Sequence, residues 1–74
     1  MKTYAVEITD TFGGQANYSW VTRHTIKAKS PRSAACAISR RSGLSWRFEY
    51  STGDLTRYTS KSGATCMFIE EMRD

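Results

Sequence analysis

The chain has 74 residues, 39% of them hydrophobic and 24% charged, which builds one domain over residues 1–74 and excludes a disordered tail, a barrel enzyme or a dinucleotide fold with a second domain. Eleven Lys and Arg against seven Asp and Glu give a net charge of +4, which suits an acidic partner and excludes an acidic mimic of DNA. No apolar stretch is long enough to span a membrane, and two cysteines are too few for a disulfide-built scaffold.

In chain order, residues 2–9 alternate, with Tyr4, Val6 and Ile8 on one parity, and predict a half-buried strand. Residues 10–17 contain Gly13 and Gly14 between Asp10 and Asn17 and predict a hairpin loop. Alternation resumes at Tyr18. Tyr18, Trp20, Thr22, His24, Ile26 and Ala28 share the parity expected to face the core, while Arg23, Lys27 and Lys29 lie on the other.

Ser30-Pro31 predicts a helix start, with Ser as N-cap and Pro at the first helical position. Ala34, Ala35, Ala37 and Ile38 form a narrow apolar stripe, Arg40 and Arg41 suit the last turn, and Gly43 suits the closing position. Trp46, Phe48 and Tyr50 alternate with Arg47 and Glu49 as a third strand. Residues 55–59 and 65–70 follow as two more, separated by turn residues, and residues 71–74 read as a polar tail.

The predicted order is therefore β-β-α-β-β-β. The fold class is α+β: a mostly antiparallel four- to five-stranded sheet covered on one face by a single helix. The large rings expected in its core are Tyr4, Tyr18, Trp20, Trp46, Phe48, Tyr50, Tyr58 and Phe68. A register shift of one residue would instead make Trp20 and Trp46 a stacking platform for bases.

No chemistry-bearing constellation is visible. His24 is a lone strand histidine with nothing beside it to form a dyad. Cys36, Cys66 and His24 lack metal-ligand spacing, and Gly13-Gly14 lacks a phosphate-binding fingerprint. The expectation is a non-enzyme with no catalytic residue, metal or cofactor. Residues after Met1 do not form a secretory leader, so the expected compartment is the cytoplasm, with Cys36 and Cys66 as free thiols.

Binding is the better-supported reading. Arg23, Lys27 and Lys29 line one side of the second strand. If the strands meander around it, Arg47 and Arg57 join the same face. Phe12, in the glycine-bearing loop, is either a recognition anchor or a plug that folds back on the core. These six residues are the candidate partner-binding set.

The segment Val6-Glu7-Ile8-Thr9-Asp10-Thr11-Phe12-Gly13-Gly14, followed by Asn17-Tyr18-Ser19-Trp20-Val21, resembles short proteins encoded by phages and prophage-bearing bacteria. The strand Ile26-Lys27-Ala28-Lys29-Ser30 leading into an alanine-rich helix also resembles the strand-to-helix junction of some small anti-CRISPR proteins. The resemblance implies a stoichiometric inhibitor that occupies a surface of a host protein or protein–nucleic acid complex in the host cytoplasm. Two other readings stand beside it: a nucleic-acid-binding module using the basic sheet face, and an assembly subunit that oligomerises through an exposed strand edge.

Overall fold

The computed structural model describes residues 1–13 and 15–72. Gly14 of the expected loop and Arg73 and Asp74 of the expected tail lie outside the described residues. The elements are β1 (Lys2–Phe12), β2 (Gln15–Ala28), α1 (Pro31–Ser42), β3 (Trp46–Thr52), β4 (Leu55–Ser60) and β5 (Thr65–Glu71). They form one five-stranded sheet in the order β2-β1-β5-β4-β3, antiparallel at every pairing. The α+β class and the element order expected from the periodicity are both observed.

Two expectations need correcting. The region expected to be a loop, residues 10–17, is mostly strand. β1 continues to Phe12, β2 begins at Gln15, and these two residues pair. Gly13 makes this possible by taking φ +61°, a conformation that a Cβ would strain. Nor does the sheet meander around β2. That strand is one edge and β3 is the other, because β5 inserts between β1 and β4.

The helix forms as its caps dictate. The Ser30 hydroxyl accepts the Ser33 N–H at 3.2 Å, Pro31 fills the first turn, and Gly43 closes the last turn with φ +72° and an N–H to the Ser39 carbonyl at 2.9 Å. Ala34, Ala35 and Ile38 are its buried stripe. They pack on Tyr4, Val6 and Ile8 of β1, Ile26 and Ala28 of β2, and Met67 and Ile69 of β5. Small alanines let the helix lie close to these strands.

Twelve residues make a helix only about 18 Å long, too short to cover five strands. α1 packs against β2, β1 and β5. The hairpin end of β1 and β2, and the helix-side face of β3, extend beyond its cover. Several of the expected core rings are therefore exposed. Trp20, in the stretch of β2 that the register with β1 skips, is 46% exposed and Phe48 is 56% exposed, while Trp46 and Tyr58 are half-buried at the margin of the core. Of the eight rings, only Tyr4 is fully buried.

Candidate binding face

The face opposite the helix is defined by register. Glu7 pairs with Arg23 on one side and Phe68 on the other, Phe68 pairs with Arg57, and Arg57 with Tyr50. One rung thus crosses the whole sheet as Arg23, Glu7, Phe68, Arg57 and Tyr50. The neighbouring rung carries Val21, Thr9, Cys66, Thr59 and Arg47. The helix packs on the other face, and only the stretch from Tyr18 to Trp20 folds over this one among the described contacts, bonded to the Thr9 hydroxyl.

Two irregularities bring extra rings onto it. A bulge between Phe48 and Tyr50 breaks the alternation of β3. Phe48 stays on the helix side, edge-on to Tyr58 at 5.8 Å between centroids, whereas Tyr50 moves to the open face. A second irregularity lies between Thr9 and Thr11 of β1, opposite Tyr18, which takes φ +59°. The Tyr18 ring stacks on Phe68 at 6.5 Å with 9° between planes. Tyr18 is consequently 54% exposed on the open face rather than buried beneath the helix.

The left-handed conformation of a tyrosine costs about 1–2 kcal/mol, and a polar lattice offsets it. The Thr9 hydroxyl accepts the Tyr18 N–H at 3.0 Å and donates to the Trp20 carbonyl at 2.9 Å. Asp10 accepts from the Asn17 amide at 2.8 Å, the Ser19 N–H at 3.1 Å and the Ser19 hydroxyl. The Asn17 and Ser19 side-chain bonds hold the Asp10 carboxyl down from 3.8 to about 2. Thr9 and Cys66 belong to the open face but are fully buried there. Burial pushes the Cys66 thiol upward, against the opposing pull of Arg57.

The charges are largely answered in place. Arg23 Nε lies 3.1 Å from Glu7, and an Arg47 nitrogen lies 3.5 Å from Glu49. The Arg57 guanidinium sits over the Phe68 ring, 5.6 Å from its centroid. Lys27 lies further along β2, Lys29 just past the strand end, and both are exposed. Phe12, at the hairpin tip, is 81% exposed, so the core-plug alternative does not hold.

The structure places Arg23, Lys27, Arg47 and Arg57 on one face without the expected meander around β2, and spreads them from edge to edge. About three strand spacings, roughly 14 Å, separate Arg23 from Arg57. Tyr18 and Tyr50, both exposed, and half-buried Phe68 belong to the open face, although the sequence places them in the core. One signal pointed to Phe68: the run Cys66-Met67-Phe68-Ile69 is apolar on both parities, so one of its residues had to be apolar on the uncovered face. Cys36 is exposed on the helix and Cys66 is buried on the far side of the sheet; both are free thiols. Among the described residues, no three His, Cys, Asp or Glu side chains converge as a metal site, and no helix is long and apolar enough to cross a membrane. No family model, curated protein or solved structure matches this chain.

Proposed function

We propose that this protein is a non-enzymatic binding module that docks a protein surface stoichiometrically through its open sheet face and the adjoining hairpin tip. The observation that carries this reading is the strip of Tyr18, Phe68, Arg57 and Tyr50, in which exposed Tyr18 and Tyr50 flank half-buried Phe68 and Arg57. Tyr and Arg are the residue types that dominate protein–protein hot spots, because they bury large rigid area and retain a polar handle. Val21 on the same face and Phe12 at the hairpin tip extend the exposed apolar surface. Arg23 and Arg47 already hold carboxylates, so the face offers shape and ring area more than free positive charge.

The resemblance to phage-encoded proteins and small anti-CRISPR proteins directs the choice of partner to a host defence complex, and a CRISPR-type nuclease complex is the one to test. Expression of the chain in a bacterium immunised against a phage should restore plaques. Tyr18→Ala and Tyr50→Ala, both at exposed positions, should abolish restoration while the far-face variant Phe48→Ser retains it. Immunity left intact in hosts of every CRISPR class tested would overturn the choice of target. Restoration untouched by Tyr18→Ala and Tyr50→Ala would overturn the choice of face.

Nucleic acid is the second reading. It is favoured by Lys27 and Lys29, which meet no carboxylate among the described residues. It predicts binding to single-stranded RNA or DNA that weakens steeply with salt.

A further inference from the structure

The geometry points to a second site on the opposite side of the sheet: a groove that takes a flat apolar anion, an aromatic ring system carrying a carboxylate, sulfonate or phosphate. It does not depend on the function proposed for the open face.

The groove exists because α1 leaves the helix-side face of β3 uncovered beside Tyr58 of β4. Its volume is about 660 Å³, within the range of small-molecule sites. One wall is the start of α1, with Pro31, Arg32 and Ala35. The opposite wall is aromatic, with Trp46, Phe48 and Tyr58.

Two observations set the chemistry of the occupant. Phe48 and Tyr58 meet edge to face and Phe48 is largely exposed, which leaves ring surface for a flat apolar group. Arg32 is the only charged side chain lining the groove among the described residues, so the charge the site can balance is negative. An occupant that lays its ring on Phe48 and sets an anionic group against Arg32 meets both. A neutral hydrocarbon leaves Arg32 unanswered, and a cation meets it unfavourably. The half-buried Trp46 ring lines the same wall and reports on occupancy.

The test uses two dyes with the same rings. 8-Anilinonaphthalene-1-sulfonate carries a sulfonate and N-phenyl-1-naphthylamine does not. The sulfonate dye should bind the folded protein saturably at one equivalent. In nitrogen–proton spectra it should shift the Trp46 indole resonance and leave that of Trp20 in place. Arg32→Gln should weaken the sulfonate dye about tenfold and leave the neutral dye unchanged, the loss of roughly one charge-assisted contact. Phe48→Ser, at an exposed position, should weaken both. Absence of saturable binding, binding that leaves Trp46 unmoved, or equal response of both dyes to Arg32→Gln would each overturn the assignment. Thermal melts of each variant exclude dye uptake by an unfolded population.

Discussion

Thr9→Val tests whether a single buried hydroxyl positions the aromatic strip. Valine matches threonine in shape and suits a strand, but replaces the hydroxyl with a methyl. The Tyr18 N–H and the Trp20 carbonyl then lose their partner. An orphaned buried polar group costs about 1–3 kcal/mol. Tyr18 and Trp20 are about half exposed, so water recovers part of that, and the new methyl adds about 0.8 kcal/mol of burial. The net loss works out at about 1–2 kcal/mol, a fall in Tm of roughly 5–15 °C for a domain this small. Thermal unfolding by circular dichroism reads the stability, and nitrogen–proton spectra read the Tyr18 amide. Thr9→Ser is the control: it keeps the hydroxyl, loses about one methyl of burial, and should leave the Tyr18 amide where it was. If Thr9→Val melts at the wild-type temperature with an unmoved Tyr18 amide, the hydroxyl does not hold the hairpin and the reasoning fails.

Three further outcomes follow from the same structure. Ser30→Ala removes the cap on α1 and should cost about 1 kcal/mol, roughly 4–8 °C in Tm by circular dichroism; an unchanged melt contradicts the cap. In the native protein an alkylating thiol reagent should modify exposed Cys36 rapidly, while buried Cys66, its thiol raised by burial, reacts only on unfolding; mass spectrometry of the modified chain reads this, and early labelling at Cys66 refutes it. The Asp10 carboxyl, lowered to about 2 from 3.8, stabilises the hairpin in full above the unfolded value. That contribution disappears as pH falls through about 2. A carboxyl NMR titration should find the low midpoint, and an ordinary midpoint contradicts the lattice around Asp10.

The parts of the fold that follow simple periodicity were legible in the sequence. Tyr4, Val6 and Ile8 alternate without interruption and form the buried face of β1. Ser30, Pro31, Ala34, Ile38 and Gly43 specify a helix with both caps, and it forms as expected. Reading failed where the period breaks. A bulge is one residue that pairs with nothing, and no residue type announces it, so Tyr50 was placed with Trp46 and Phe48 although the sheet separates them. Tyr18 was misplaced for a related reason: its positive φ accompanies an N–H bond donated to the Thr9 hydroxyl, nine residues away, and local propensity cannot register such a contact. Trp20 was misjudged because it falls in the stretch of β2 that the register with β1 skips, near the hairpin end. Arg23 and Lys27 share a face because alternation in β2 is regular from Arg23 onward, whereas Arg47 and Arg57 reach that face without the meander expected to bring them there. Their spacing depended on β5 inserting between β1 and β4, a topological choice that strand patterns leave open.

Site-specific photocrosslinking in host cells tests the central claim most directly. With p-benzoylphenylalanine in place of Tyr18 or Tyr50, a single protein adduct of fixed mass should form, and the same substitution at Phe48, on the other side of the sheet, should give none. Adducts of equal yield from both sides of the sheet, or adducts that nuclease digestion removes, would contradict a protein-docking role for the open face.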